Sequence, residues 1–587
     1  MQTNVPQQPP IEDYGIIGDT HTCALISTDG SCDFLCYPYF DSPSVFCSLL
    51  DPSQGGFFRI SPVVPSQGCY KTKQLYLFNT NVLLTRIFCD GLAEITDFFS
   101  MNFKDPEWRQ FYRIVKSVRG TMDFKMECRP RFNYGRTQHE IKMEESSAHF
   151  VPQNDNYCLK LYSTAPLQST DGDAVESRFT LREGESACFV LMSHNYSCRD
   201  FEFKLSCELA EEAKKNTLDY WHNWLKRIRY QGRWRETIIR SALTLKLLTF
   251  APTGAVIAAP TFSLPEKIGG NRNFDYRYVW IRDSAFVIYS FIRLGFTEEA
   301  DAFMCYLEKI IDKQDNGQLL PVYDIWGREI PDEQELTHWS GYMGSRPVRI
   351  GNACKDQFQL DIYVLLDSIY LSNKYATQIS YERWSKVKKL CDYVVENWKL
   401  PDHGIWEPRT NPRHHTYSKI CCWIALDRAI RLGDKRSLPY PVHYKQVRDQ
   451  IYEEIQTRGY HHERKSYVSH YDGENLDAAV LLAPLTFFCA ANDPRMLSTI
   501  DAIMKSPCEG GLFTDGLVFR YNQGEVKDGF DREEGTFCLT SFWLVEALAR
   551  SAQHDKEKLH RARLIFEKAI SFGNHLALLS EVCLVLI

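Results

Sequence analysis

Apolar and polar positions alternate with period two along much of the first ~215 residues, as they do in half-buried strands. In Phe124-Lys125-Met126-Glu127-Cys128-Arg129 every second side chain is apolar, and Val82–Phe88 and Cys188–Met192 are further β-rich runs. Turn pairs such as Asp29-Gly30, Asp90-Gly91 and Asp171-Gly172 punctuate the region. Short strands separated by polar turns predict an antiparallel β-sandwich, assigned to residues 1–208. The period then changes. Leu218, Trp221, Leu225 and Ile228 recur at the spacing of one helix face and predict a linker helix within 209–235. Amphipathic stretches follow over 236–587: Thr237–Phe250, Asp283–Leu294, Glu298–Lys313, Gln357–Leu371, Tyr381–Trp398, Ser418–Leu432 and Thr540–Ala552. Long loops rich in aromatic and charged residues, Leu264–Asp283 and Leu319–Gly351, lie between them. Paired helices with functional loops at one end fit a toroid, but periodicity by itself does not separate a toroid from another α-helical array.

Composition narrows the function. The chain has 587 residues, more than one ordinary core organises, so two domains are expected. A net charge of −7 without a basic stripe argues against nucleic acid as a partner. The start, MQTNVPQQPPIEDYG, lacks the charged-then-apolar pattern of a signal peptide, and no run of apolar residues is long enough to span a bilayer. A cytoplasmic protein with no membrane partner is therefore expected, in which the 20 cysteines are thiols. No cysteine spacing resembles a metal site, and neither a metal nor another cofactor is called for. Association of identical chains is left open. The abundant aromatic residues suit stacking on sugar rings, although most belong in the core.

Four segments carry candidate chemistry. Asn271–Phe286 (NRNFDYRYVWIRDSAF) gathers Asp275, Tyr276, Arg277, Trp280, Arg282 and Asp283 at a helix entrance. Taken alone, Arg282-Asp283 is equally well explained as a helix cap with its charge partner. Gly341–Tyr363 places Arg346 and Arg349 on a glycine-rich turn, and His403–Ile430 sets Glu407 beside Trp406. A carboxyl held against an indole is desolvated, which raises its pKa and suits a general acid. Phe530–Leu548 puts Asp531, Glu533 and Glu534 before an apolar helix, where acids are also common for purely electrostatic reasons.

Together with Ile11–Phe46 (IEDYGIIGDTHTCALISTDGSCDFLCYPYFDSPSVF), these segments resemble, in order and over nearly the whole chain, glycoside hydrolase family 15, the glucoamylases and trehalase-like glucohydrolases. The resemblance implies an (α/α)6 barrel after the sandwich and hydrolysis of a terminal α-glucosidic bond with inversion. It implies Glu407, in Gly-Ile-Trp-Glu, as general acid and Glu534, nine residues before Trp543, as general base. Arg282 and Asp283 match the pair that holds hydroxyls of the terminal glucose; Tyr276, Trp280 and Arg349 match other walls of that subsite, with Trp406 beside them. A small carbohydrate or glycoside is the expected partner. An inverting pair needs about 6.5–9.5 Å between its carboxyls.

The chain departs from the family pattern at Phe274, usually Trp, at Val364-Leu365, usually Gly-Glu, at His415, usually Phe, and at Pro408 after the acid. A Gly-Asn-Phe-Pro-Gln-Ala segment and a final helix do not follow Leu579-Ser580-Glu581, so an incomplete last barrel helix is expected. The apolar 573–587 tail is expected to dock on the barrel. The competing reading is a catalytically silent or repurposed member, binding sugar, regulating a partner or acting on a specialised metabolite, since a fold does not dictate function.

Overall fold

The computed structural model describes residues 8–64, 69–101, 109–153, 157–195, 203–375, 378–522, 528–530, 535–553 and 555–583. Two antiparallel sheets form the N-terminal part. One runs in the order Tyr14–Gly18, Cys23–Ser27, Ser31–Cys36, Phe57–Pro62, Met122–Arg129, Ala174–Leu181 and Gln168–Thr170. The other is built around Ser186–Asn195 and Gln110–Arg119, with Lys71–Tyr76 and His139–Met143 at its edges. In the strand Met122–Arg129 the predicted alternation is realised, with Met122, Phe124, Met126 and Cys128 buried. These side chains join Phe58, Phe99, Phe111 and Phe189 between the sheets.

Helix α1 (Cys207–Leu225) leads out of the sandwich, and the Ser206 hydroxyl caps it by accepting from the Leu209 N–H. Trp221 is fully buried, and Trp224 stacks on Phe296 with ring centroids 4.0 Å apart. The helical part follows as α2 (Arg235–Leu247), α3 (Ile281–Leu294), α4 (Thr297–Asp312), α5 (Leu365–Tyr375), α6 (Tyr381–Asn397), α7 (Thr416–Arg436), α8 (His443–Arg458), α9 (Pro494–Ile503), α10 (Cys538–Ala552) and α11 (Lys556–Ile570). The sequence patterns had not marked α8, α9 or α11. Helices α8 and α11 are mostly polar and bury only a narrow stripe each, Tyr444, Ile451 and Ile455 in one and Ala562, Ile565 and Ala569 in the other. Gly295 ends α3 in the left-handed region, at φ 101°, where a side chain would be strained.

Helices α3, α5, α7, the short turn Ala478–Leu482 and α10 pack in succession, and α4, α6, α8, α9 and α11 each lie against a member of that series. Helix α7 is buried on nearly every side, as an inner helix must be. Phe286 of α3 meets Trp543 of α10 at 6.3 Å, bringing the first and last members of the inner series into contact.

The segment after α11 corrects one expectation. Residues 574–578 dock on the sandwich, not on the barrel alone. The Asn574 amide donates to the Glu12 and Tyr14 carbonyls at 3.1 and 2.9 Å, and Leu576 enters the sandwich core. Gly15 makes room for it, since a Cβ there would lie 2.8 Å from the Leu576 Cδ1. Leu578 packs against both cores. The strand Val582–Cys583 then pairs with Thr536–Phe537 at the start of α10. Leu584, Val585, Leu586 and Ile587 lie outside the described residues.

This docking predicts that Leu576→Ala destabilises the protein by about 2–5 kcal/mol, the usual cost of truncating a buried leucine. Urea denaturation checks it, and an unchanged midpoint would contradict the docking.

Candidate active site

The site is assembled from the loops that lead into the inner helices. Asn273–Asp275 pairs with Phe262–Pro265, and directly after it a buried ion pair anchors the chain. Arg277 Nη2 lies 2.6 Å from Asp275 Oδ2 and both side chains are fully enclosed. The same guanidinium donates to the Ser42 carbonyl at 2.9 Å and the Tyr134 hydroxyl at 3.1 Å. Two backbone carriers, the sandwich and the Asn271–Phe286 loop, are thereby held by one cation. Charges buried this way are retained only when paired and hydrogen-bonded.

Three residues on, Trp280 stands at the N-cap of α3 and makes no side-chain cap bond. Arg282 and Asp283 therefore do not form the helix cap that their sequence also allowed. They remain paired but differ in exposure: the Arg282 side chain is 7% exposed and the Asp283 side chain 43%. Asp283 still gains from the helix dipole at this first-turn position. Arg282 reaches inward to Asp361 Oδ2 at 3.0 Å, Asp283 Oδ1 at 3.2 Å, Gln359 Oε1 at 3.3 Å and Glu407 Oε1 at 3.5 Å.

Glu407 is the centre of this arrangement. Among the described residues, the Trp280 indole N–H at 2.8 Å, the Gln359 amide at 3.1 Å and Arg282 converge on its Oε1. Its backbone lies in the left-handed region at φ 54°, uncommon for a residue with a side chain. The Gln357 amide steadies that conformation by donating to the carbonyls of Glu407 and Pro408. Burial raises the Glu407 pKa above the ordinary carboxyl range; Arg282, Gln359 and Trp280 oppose the rise, while the charge of Asp283 adds to it. Asp361, fully buried beneath Arg282, is pushed up to about 6 by desolvation, with Arg282 again opposing.

The indole that touches the acid is thus Trp280, not its sequence neighbour Trp406. Trp406 turns its N–H to Asp477 Oδ1 at 2.9 Å and packs on Phe537 and Trp543, each at 6.0 Å between centroids. Tyr276 lies 5.9 Å from Trp280 and 6.4 Å from Phe274. Arg349 is farther out: it donates to the Asn271 carbonyl at 2.8 Å, approaches Glu333 at 3.4 Å and sits over the Phe274 ring. Phe274 in turn meets Phe530 at 5.4 Å, and Arg272, whose Nη2 is 2.5 Å from Asp528, covers Phe530. Arg409 bridges to Glu333 at 2.6 Å and lies over both rings. Asp531, Glu533 and Glu534 lie outside the described residues; the flanking Asp528–Phe530 and Gly535 are described.

Gln359 and Asp361 were not singled out from the sequence, where Gln357–Leu371 reads as one helix. The chain is instead irregular until Asp361, and α5 begins at Leu365. A signal existed: Gln357-Phe358-Gln359-Leu360-Asp361 alternates polar and apolar, an extended pattern that points its polar residues one way.

The sequence pattern of glycosyl hydrolases family 15 matches residues 232–582, and that of the trehalase-like N-terminal domain matches residues 4–177. A trehalase of Mycolicibacterium smegmatis is 36% identical over 601 residues, covering 98% of this chain and 87% of that protein. A trehalase of Thermoplasma volcanium is 33% identical, covering 98% of this chain and 89% of its own. In fold, the chain is similar to a bacterial glucoamylase solved in complex with acarbose, with a TM-score of 0.69 and 14% identity over 99% of this chain and 92% of that one. The sheet domain followed by an (α/α)6 helical barrel is therefore the architecture here too. With both parts of the chain matched and relatives above 30% identity along almost its full length, the chain belongs to glycosyl hydrolases family 15 and is an α-glucosidase-type hydrolase.

Proposed function

We propose that the chain hydrolyses a short α-glucoside, α,α-trehalose first among them, by inversion, with Glu407 as general acid and Glu534 as general base. The observation that carries the reading is the enclosed Glu407 carboxyl, whose raised pKa keeps a proton available for the leaving oxygen. Trehalose is favoured because the relatives that match along nearly the whole chain bear the name trehalase. The hydrolase names of those relatives favour an enzyme over a silent sugar-binding scaffold.

In this mechanism Glu407 gives its proton to the glycosidic oxygen as the bond to the anomeric carbon breaks. Glu534 takes a proton from the water that attacks the opposite face, a role that rests on its match to the family motif. From trehalose one glucose leaves as the β-anomer and the other as the α-anomer. Arg282, locked by Asp361 and Gln359, keeps Glu407 in place, and the more open Asp283 faces the hydroxyls of the bound sugar. Tyr276 and Trp280 supply its aromatic wall.

Glu407→Gln and Glu534→Gln are each expected to lower kcat by at least ~10²-fold, the scale of a lost acid or base. Proton NMR on the best substrate checks both turnover and the anomer released. Near-normal turnover in either variant, or two α-glucose products from trehalose, would overturn the assignment.

A pH profile tests the electrostatics. Glu407 must be protonated, so activity falls as pH rises through its raised pKa. Asp283→Asn removes a charge that raises that pKa, so the alkaline limb of kcat/KM moves to lower pH. The same variant loses a charged hydrogen bond to sugar, and kcat/KM falls ten-fold or more, as expected for about 1.5–3 kcal/mol. A limb that stays where it is would remove Asp283 from the vicinity of the acid.

A further inference from the structure

The C-terminal strand brings a second chemical feature close to the site. In the pairing of Val582–Cys583 with Thr536–Phe537, Thr536 stands opposite Cys583 and Phe537 opposite Val582. The next residue, Cys538, opens α10, and its N–H donates to the Glu581 carbonyl at 3.0 Å. Cys538 and Cys583 therefore lie on the same side of the ladder, and their Sγ atoms are 3.4 Å apart. Both are buried with Leu517 and Ala569, against Phe542 and Phe572. The thiol contact itself lowers the Cys583 pKa to about 7, with the Ser580 hydroxyl assisting and burial opposing. The same contact, with burial, raises the pKa of Cys538, and burial raises that of Cys391 and Cys421. With the sulfurs in direct contact, one can act as a nucleophile beside a second that can resolve it.

We propose that Cys538 and Cys583 are an oxidisable dithiol, which a peroxide converts to a disulfide that pins the C-terminal strand to α10 and depresses hydrolysis. The Cys583 thiolate attacks one peroxide oxygen: an S–O bond forms, the O–O bond breaks, and hydroxide leaves to take up a proton as water. Cys538 sulfur then attacks Cys583 sulfur; the S–S bond forms, the S–O bond breaks, and the departing hydroxyl takes the Cys538 proton as a second water. Two thiols lose two electrons, and hydrogen peroxide is reduced to two waters.

The consequence for hydrolysis follows from the packing and rests on the proposed catalytic pair. A disulfide holds its sulfurs about 2.05 Å apart, so the two sulfurs must close more than ~1 Å, by side-chain rotation and by movement of the strand against the helix start. There is little slack to absorb this. A Cβ at Gly535 would lie 2.4 Å from the Cys583 carbonyl oxygen, and Gly535 follows Glu534 directly in the chain. On the other side Phe537 packs on Trp406, the residue before Glu407, and under the Arg520 guanidinium at 4.1 Å. A displacement of about 1 Å in a catalytic group costs up to ~10²-fold in rate.

The sandwich holds a second close thiol pair, which the experiment removes so that it cannot be oxidised instead. Cys188 and Cys207, with sulfurs 3.5 Å apart, join the strand Ser186–Asn195 to the start of α1. The experiment treats the reduced full-length protein, in a Cys188→Ser background, with a small excess of hydrogen peroxide. Free thiols are then alkylated, linked peptides are mapped by mass spectrometry, and trehalose turnover is followed before and after dithiothreitol. The expected result is a 538–583 linkage, a fall in kcat of at least ~5-fold and recovery on reduction. Cys583→Ser and Cys538→Ala should both keep their activity through the same treatment. Absence of the linkage, or a linkage with unchanged kcat, would overturn the proposal. If no glucoside is hydrolysed before oxidation, the functional reading fails instead, and the mapped linkage decides the dithiol by itself.

Discussion

A guanidinium taken out of water must be surrounded by acceptors, and the burial of Arg282 organises this site. Removing a cation from solvent costs several kcal/mol unless charge and hydrogen bonds replace the lost hydration. Arg282 meets that demand with Asp361, Asp283, Gln359 and Glu407, from three separate stretches of chain. Each acceptor carries a structural consequence. To present Gln359 and Asp361, the chain stays irregular where its apolar content would support a helix, and α5 starts late. To present its carboxyl, Glu407 takes a left-handed backbone that its neighbours must hold.

The same cation sets the electrostatic character of Glu407. Desolvation favours the protonated form and Arg282 favours the ionised form, and the balance leaves the carboxyl raised above its ordinary value. Stacking the donors on one oxygen also fixes the direction in which the carboxyl faces. Orientation and protonation state are therefore set by one cluster, as the proposed role of general acid requires.

The sandwich contributes rigidity to this cluster from outside. Arg277 ties the loop before α3 to Ser42 and Tyr134, and Trp339 stacks on Phe262 beside Tyr134. At the other end of the chain, Leu576 is seated in the sandwich core while Val582–Cys583 extends the ladder at the start of α10. A short segment thus connects the sheet domain to the helix that follows the Glu534 motif. Both ties, through Arg277 and through Leu576, join the sandwich to segments that flank the site.

The sequence by itself determined the period-two strands, the spans of the strongly amphipathic helices and the placing of Arg282-Asp283 at a helix start, because those signals are local. The order of its motifs also identified the family. Only the tertiary structure decided which indole meets Glu407: Trp406 is adjacent in sequence, but the turn at Glu407 points it to Asp477 and leaves Trp280 to supply the donor. It decided likewise that the chain stays out of an α-helix from Gln357 to Val364, since the demand of a buried cation 77 to 79 residues away outweighs local helix preference. It sent Leu576 into the sandwich, where Gly15 leaves a space no pattern reveals, and brought together two thiols 45 residues apart. Desolvation and pairing depend on what encloses a group, and the enclosing residues come from elsewhere in the chain.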